Sequence, residues 1–389
     1  DNRFSAAGMM RKVLKSSLLT IDQLGDHPAI ETYLSLLQRQ YGEKLFADCL
    51  DMLLSIASAF EPLTIKEVVG LNNEGDITIK DIAFINDIKP IIHFERSYRG
   101  NLLSMENSGF RDYILHKYAG ELKAKTERLI LFINENFKIV QSAVDTFSYL
   151  YAYIWDYYDK FAPDSLKLTS VTADRILDFA YIYEKDYYTT HALRRITYMY
   201  TGSTYIWRKF FSDPVNGDDY KLRCANAYYN AIHTYFMIKQ FPSAFEAARL
   251  AFELIVELPQ EMQESVACKE LRLRLHSNIM ICFAEIRDIN NVEKHYNDVK
   301  SLAIELKNDS ILRTIETNYL MFYRNINPEY VIEKMQLLIK DMENEPDIKV
   351  FELANKYIIL GNAYAQTADA PAALSCYDKA LAIMDTLVF

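Results

Sequence analysis

The chain has 389 residues, half of them hydrophobic, and carries a formal net charge of −10. This composition supports a large buried core and argues against wholesale disorder. The acidic balance argues against a broad nucleic-acid-binding surface, which needs clustered positive charge. With only 11 glycines and 10 prolines but 28 tyrosines and 21 phenylalanines, the composition favours long packed helices over loop-rich β architecture.

The five cysteines are scattered and form no Cys-x-x-Cys pair: Cys49, Cys224, Cys268, Cys282 and Cys376. An odd number without a spacing pattern fits a reducing cytoplasm better than a disulfide framework. No apolar run approaches the roughly 18 residues of a membrane helix, and we find no signal peptide, so we expect a cytoplasmic protein without a membrane partner. Because the chain begins with Asp1 rather than methionine, we expect it to be a piece of a longer protein.

The first third contains three predicted helices followed by a β-hairpin. An apolar stripe from Leu45 to Phe60 predicts the first helix. Thr64 and Glu67 have the spacing of a capping box that opens a second, short helix, and a third helix is predicted from Lys80 to Ile88. Two β-type runs form the hairpin: Ile91 to Glu95 and Asn101 to Met105. This order predicts a winged-helix domain over residues 43–119, preceded by a helical lead-in segment over residues 1–42.

A winged helix can bind DNA, but the third helix is poorly suited to it. Its one lysine, Lys80, is accompanied by Asp81 and Asp87, which oppose contact with phosphates. Arg96 and Arg99 of the hairpin add only two positive charges. We therefore do not expect nucleic acid as a partner.

The order of motifs in this region resembles a known family. The segment from Ile30 to Leu34 leads into the stretch from Leu53 to Thr64, and Phe110-Arg111-Asp112-Tyr113 follows about fifty residues later. This is similar to the region just after the nucleotide-binding domain in signal-transduction (STAND) ATPases of the NACHT type. The resemblance covers about residues 20 to 118, and in that family a helical repeat follows as the sensor.

The resemblance implies that ATP or ADP and magnesium would bind an upstream domain of the parent protein, with no cofactor in this chain. It also implies a nucleotide-sensor position three residues before Phe110, where the family usually has a histidine that senses the phosphate. Asn107 occupies this position, which puts nucleotide sensing in doubt. An asparagine there fits a helix cap at least as well.

The middle of the chain, residues 120–220, is a predicted helical region rich in aromatic side chains. Six of them lie within ten residues: Tyr149, Tyr151, Tyr153, Trp155, Tyr157 and Tyr158. Packing between helices is one interpretation. A protein-contact surface is the other, since tyrosine and tryptophan are enriched at binding hot spots. The loop-like run from Ser212 to Asp219 indicates a boundary before residue 221.

The strongest repeat signal lies near the end of the chain. Tyr357, Leu360, Gly361 and Tyr364 fall at i, i+3, i+4 and i+7, on one helical face. A turn follows, and then a second face contains Ala373, Tyr377 and Ala380. This pattern resembles the tetratricopeptide repeat and predicts tight helix–helix contacts at Gly361, Ala373 and Ala380.

Weaker copies of the same pattern lie upstream and begin near Tyr228, His276 and Ile315. Their second helices are marked by small, aliphatic or aromatic residues at recurring spacing: Ala244, Ala248 and Ala251; Val292, Tyr296 and Val299; Val331, Met335 and Leu338. The period is about 39 to 48 residues rather than the usual ~34. Residues 221–389 are therefore predicted to form an α-solenoid of tetratricopeptide-like hairpins, and the fold class as a whole is mainly α.

Motifs of catalysis are missing from the sequence. No glycine belongs to a Gly-x-x-x-x-Gly-Lys-Ser/Thr phosphate loop, and there is no His-Glu-x-x-His or Gly-x-Ser-x-Gly motif. No histidine has a cysteine partner at zinc-site spacing. We expect no catalytic residues and no metal ligands, and therefore not an enzyme.

The partner-binding residues are predicted from tetratricopeptide geometry, in which the first helix of each hairpin lines the concave face. They are Asn226, Tyr229, His233, Arg274, Arg313, Tyr323, Arg324 and Asn362. The three arginines favour an acidic partner surface. The alternative is that they pair with neighbouring glutamates such as Glu285 and Glu316.

The function predicted on this basis is that of a protein-binding sensor portion of a larger STAND ATPase. The repeat would recognise a regulatory or foreign protein, such as a phage protein in an antiviral setting, and the winged helix would relay binding to the upstream ATPase domain. Oligomerisation on activation stays open. The alternatives are a DNA-binding transcriptional regulator and a static assembly scaffold.

Overall fold

The computed structural model describes residues 28–72, 77–106, 108–136, 144–164, 166–186, 189–210, 217–344 and 350–385. The chain divides into two compact units, Asp1–Tyr220 and Lys221–Phe389. The fold is mainly α, and the described residues contain one small sheet. Among the described residues, no helix is long and apolar enough to cross a membrane.

From residue 28, where the described part of the chain starts, the first unit has three helices and a three-stranded antiparallel sheet. The elements in chain order are α1 (Pro28–Ser58), β1 (Leu63–Thr64), α2 (Ile65–Gly70), α3 (Ile79–Asp87), β2 (Ile92–Ser97) and β3 (Gly100–Met105). The strand order is β1-β3-β2, because the hairpin pairs its second strand with the short strand that precedes α2. We refer to this part, residues 28–105, as the helix–sheet module. Gly42 interrupts α1 with a φ of 72°.

Local sequence signals explain where these short helices start. Thr64 and Glu67 form the predicted capping box at α2, with the Thr64 amide donating to the Glu67 carboxylate at 2.7 Å. A second capping box, between Thr78 and Asp81, opens α3. In each case, backbone amides at the start of the helix, which have no partner within the helix, are hydrogen-bonded by side chains. The two residues of the box lie only three positions apart in sequence.

The described part of the first unit contains five further helices: α4 (Ser108–Lys117), α5 (Ala119–Glu135), α6 (Val144–Phe161), α7 (Ser170–Asp186) and α8 (Thr190–Phe210). The aromatic residues of α6 are mostly interior. Tyr149, Tyr151 and Tyr157 are almost fully buried, and Tyr151 stacks on Phe179 of α7 with ring centroids 4.2 Å apart. Trp155 is half-buried and stacks on Tyr205. The packing interpretation therefore accounts for most of this stretch.

The second unit consists of helices in chain-consecutive pairs. They are α9 (Gly217–Met237), α10 (Phe241–Val256), the short α11 (Gln260–Gln263), α12 (Val266–Glu285), α13 (Ile289–Glu305), α14 (Asp309–Tyr323), α15 (Pro328–Glu343), α16 (Val350–Gln366) and α17 (Ala370–Asp385). The first helices of the hairpins are α9, α12, α14 and α16. The insertion of α11 lengthens the first repeat beyond the usual period.

The predicted packing positions of the repeats lie in the core. Ala244, Val292, Val331 and Met335 are fully buried, and Ala373 and Ala380 are nearly so. The turns within three hairpins are tight enough to place Lys239, Arg287 and Ala368 in the left-handed region, with φ of 57° to 61°. The α-solenoid of tetratricopeptide-like hairpins is thus confirmed.

Candidate partner-binding surface on the helical repeat

A cavity of about 300 Å³ opens between α12 and α14, the first helices of two neighbouring hairpins. Its floor is apolar and is formed by Met280, Val292 and Tyr319. Glu285, Asn318 and Asn325 contribute polar groups around it. An apolar floor with a few convergent polar groups is the usual character of a ligand site, and the volume lies at the small end of the range of about 300–1,000 Å³.

The neighbourhood of this cavity offers both apolar area and hydrogen-bonding groups. The Met321 side chain lines the cavity and is 43% exposed. Asn325 accepts a hydrogen bond from Gln366 of α16 at 2.7 Å, which ties the cavity edge to the next first helix. On α12, three residues before Ile281 but not itself lining the cavity, Asn278 has a buried Nδ2 atom without a hydrogen-bond partner among the described residues. An unsatisfied buried amide is costly unless a ligand or water completes it.

Two of the sequence-predicted partner-binding residues come together on α9 and α12. The Arg274 guanidinium lies 5.9 Å from the centroid of the Tyr229 ring, and its side chain is 49% exposed. Glu270, one turn earlier, lies 3.5 Å from it. Because this pair is exposed, solvent screens it and the arginine stays available to a carboxylate partner.

Other predicted residues are engaged in internal contacts. Asn226 donates to the Leu222 carbonyl at 3.3 Å, and Asn362 accepts from the Tyr377 hydroxyl at 2.8 Å. The Tyr323 hydroxyl donates to the Glu293 carboxylate. Burial raises the pKa of Tyr323, and the bond to Glu293 raises it further. The Tyr323 and Asn362 side chains therefore each connect two helices of the repeat, and the Asn226 bond lies within α9, while His233 is exposed.

The remaining two arginines are half-buried. Burial lowers the pKa of Lys356 on α16, and the nearby positive charge of Arg313 lowers it further. The Nε atom of Arg324 is buried without a hydrogen-bond partner in the described part of the chain. Of the glutamates near these arginines, Glu270 lies 3.5 Å from Arg274, whereas Glu316 lies 3.7 Å from Lys300.

The residues of the cavity itself were not predicted from the sequence. Ile281, Asn318, Met321 and Asn325 line it, but none was predicted to bind a partner. Asn278, Ile281 and Glu285 follow Arg274 at i+4, i+7 and i+11, which places all four on one face of α12. From this spacing, the α12 side of the cavity could have been predicted. The α14 side of the cavity could not have been predicted in this way, because its position depends on how two hairpins pack against each other.

Two basic residues of the helix–sheet module pair with carboxylates of the same module. Lys80 of α3 pairs with Asp48 at 2.7 Å, and Arg99 donates to the buried Glu67 carboxylate at 2.8 Å. The most exposed side chains of α3 include apolar ones, since Ile79 is 88% exposed and Ile82 is 48% exposed. Such a face suits contact with protein better than contact with phosphate.

The Phe110-Arg111-Asp112-Tyr113 motif packs α4 against α1. Phe110 is buried, and Arg111 Nε donates to the Ala57 carbonyl at 2.8 Å. A guanidinium there satisfies a carbonyl of the last turn of α1. The proposed sensor position, Asn107, lies outside the described residues.

No protein-family model matches the chain, and no curated protein matches it in sequence. Among solved structures, BtubC (BKLC) from P. vanneervenii is similar over 67% of this chain and 92% of its own, with 15% identity and a TM-score of 0.44. A STAND protein with a tetratricopeptide repeat sensor from Pyrococcus horikoshii is similar over 100% of this chain, with 11% identity and a TM-score of 0.40. The chain spans 54% of that second protein's length.

Proposed function

We propose that the repeat unit binds a protein partner along the side formed by its first helices, with a partner side chain inserted into the cavity between α12 and α14. The cavity is the observation on which this proposal rests. Its apolar floor favours an apolar anchor side chain, and its polar groups favour hydrogen bonds to the partner backbone. The exposed Arg274 beside Tyr229 adds a site for a partner carboxylate.

The second part of the proposal concerns signalling. The helix–sheet module acts as a winged helix that relays partner binding to the ATPase domain of a larger, cytoplasmic STAND protein of the NACHT type. The order of elements and the exposed isoleucines of α3 support a protein-contacting rather than a DNA-reading module. ATP and magnesium belong to that ATPase domain. An antiviral setting, with a foreign protein as the partner and oligomerisation on activation, is the biological context we favour.

Peptide selection tests the repeat surface. Phage-displayed random linear peptides are selected on the immobilised chain, and the enriched peptides are synthesised and measured by fluorescence anisotropy. Met321→Asp places a charge beside the apolar floor at a half-exposed position, so the chain should still fold. We expect this variant to bind the enriched peptides at least about tenfold more weakly, since a charge displaces apolar contact.

Ile304→Asp is the matched control. Ile304 is 59% exposed on α13, a second helix, and does not line the cavity. The Ile304→Asp variant should bind the peptides with the same affinity as the unchanged chain. Circular dichroism should show that both variants are folded. Equal affinity of Met321→Asp and Ile304→Asp, or no peptide enrichment above an unrelated immobilised protein, would refute the proposed surface.

A further inference from the structure

Three potential metal ligands converge on the hairpin formed by α12 and α13. His276 lies on α12, and His295 and Asp298 lie on α13. The Nδ1 atoms of the two histidines are 2.8 Å apart, and Asp298 Oδ2 is 3.5 Å from His276 Nδ1. The three ligand atoms all lie within 4.8 Å of one another. We call these residues the histidine–aspartate cluster.

We propose that the histidine–aspartate cluster binds a divalent cation of the zinc type, with two imidazole nitrogens and one carboxylate oxygen as protein ligands. This inference is independent of the proposed partner-binding function. Tetrahedral zinc with bonds of about 2.0–2.2 Å holds its ligand atoms about 3.3–3.5 Å apart. The separation of His276 Nδ1 and Asp298 Oδ2, 3.5 Å, already has this value, and the two imidazole nitrogens need to part by only about 0.5 Å.

The positions of the ligands along the helices suit a shared ion. His295 and Asp298 are three residues apart on α13, so they project from the same face of that helix. His276 comes from the facing helix. A bound ion would therefore cross-link the two helices of the hairpin and leave a fourth coordination position for water or a further ligand.

The protonation of the two histidines is compatible with metal binding. Burial lowers the pKa of His276 to about 3, with His295 as a further cause, and burial also lowers the pKa of His295. Both rings are therefore neutral at pH 7, and the neutral imidazole is the form that binds metal. In the absence of an ion, one ring must donate its Nδ1 proton to the other, since two facing lone pairs repel.

Aromatic neighbours fix the orientation of both rings. Phe252 of α10 lies against His276, with centroids 4.6 Å apart, and Phe283 stacks on His295 at 5.4 Å. The Asp298 side chain is 43% exposed, which gives an ion access from solvent. Arg272 and Lys294 are the nearby cations that act on His276, and their charge would weaken binding of a cation without removing any ligand.

Titration of the chelator-treated, dialysed chain with zinc chloride tests the proposal by calorimetry. We expect saturable binding at one ion per chain and a higher melting temperature in excess zinc, because an ion that binds only the folded state stabilises it. Cobalt chloride should give visible absorption bands of a four-coordinate site. Two variants each remove one ligand: Asp298→Asn, at a half-exposed position where folding should be preserved, and His295→Gln.

Each ligand variant should weaken zinc binding at least about tenfold. Asp341→Asn, on the exposed side of α15, and His116→Gln, on α4, are matched controls that should keep the affinity and the stoichiometry. Absence of saturable zinc binding by the unchanged chain overturns the proposal and leaves the two rings sharing a hydrogen bond. Unchanged affinity in Asp298→Asn, with circular dichroism showing a folded chain, overturns it equally.

Discussion

Gly361 of α16 lies so close to Tyr377 of α17 that a Cβ atom at position 361 would be 2.6 Å from Tyr377 Cε1. The same atom would be 3.2 Å from the Ala373 carbonyl oxygen. The ring cannot swing away freely, because the Tyr377 hydroxyl donates to Asn362 at 2.8 Å. This close approach is the reason that the repeat pattern requires glycine here.

Gly361→Ala should therefore destabilise the repeat. Alanine is the better helix former by about 1 kcal/mol, but overpacking a tight seam typically costs about 1–3 kcal/mol. The 2.6 Å contact with Tyr377 Cε1 is closer than Cβ atoms come to their neighbours, so the ring would have to shift. The net loss in free energy of unfolding can be measured by urea denaturation followed by circular dichroism.

Gly202→Ala supplies the contrast. Among the described residues, the one atom within 4 Å of a Cβ at position 202, in the interior of α8, would be Trp155 Cβ, at 3.6 Å, which is ordinary van der Waals contact. This variant should gain up to about 1 kcal/mol from helix propensity. An equal gain from Gly361→Ala would contradict the tight seam.

A second prediction concerns Arg195, which is 2% exposed on α8. It donates to Glu61 at 2.7 Å and lies 2.6 Å from the Glu67 carboxylate. Arg195→Met would leave these carboxylates without their buried partner, and breaking such a pair typically costs about 3–5 kcal/mol. Urea denaturation at pH 7 measures the loss.

Arg249→Met is the control, because it removes only the exposed pairs with Glu246 and Glu253. This variant should leave the free energy of unfolding unchanged. A loss similar to that of Arg195→Met would count against the distinction between buried and exposed ion pairs.

The same ion cluster predicts how stability depends on pH. Burial would raise the pKa of Glu67, but Arg195 and Arg99 outweigh it and hold that pKa below the ordinary value of 4.5. A carboxylate whose pKa is lowered by folding stabilises the folded state above its ordinary pKa, and this stabilisation is lost as the pH falls toward the lowered value. Unfolding midpoints of the first unit should drop below about pH 4.5 and should drop less in Arg195→Met. Identical acid profiles of the two proteins would argue against this assignment.

The arginines of the first helices provide a prediction about partner charge. Reversing Arg274, Arg313 and Arg324 together to glutamate should abolish binding of selected peptides that carry carboxylates, while apolar peptides keep more of their affinity. Fluorescence anisotropy measures both classes. If acidic peptides still bind the folded triple variant, the arginine face is the wrong site, and the aromatic stretch around Trp155 becomes the better candidate.

Nucleotide binding supplies the last prediction. Because the chain has no phosphate loop, calorimetric titration with ATP or ADP in the presence of magnesium should show no tight binding, and no phosphate should be released from ATP. Micromolar affinity of this chain alone would contradict the assignment of the nucleotide site to another domain.

The sequence by itself determined the helices and their pairing. The Thr64–Glu67 capping box and the spacing of Tyr357, Leu360 and Gly361 depend on residues within a few positions of one another. Such signals act through the local backbone, since helical periodicity and caps need no distant partner. The packing of Ala373 and Ala380 followed for the same reason, because each hairpin is a local unit.

Only the tertiary structure decided which side chains meet across helices. Arg195 reaches Glu61 across 134 positions, and His276 reaches His295 across 19. The cavity beside Met321 and Asn318 exists because two first helices from different hairpins pack at a particular distance. That distance results from the combined volumes of many buried side chains. No short sequence pattern encodes it, so the cavity and the histidine–aspartate cluster became visible only in the folded chain.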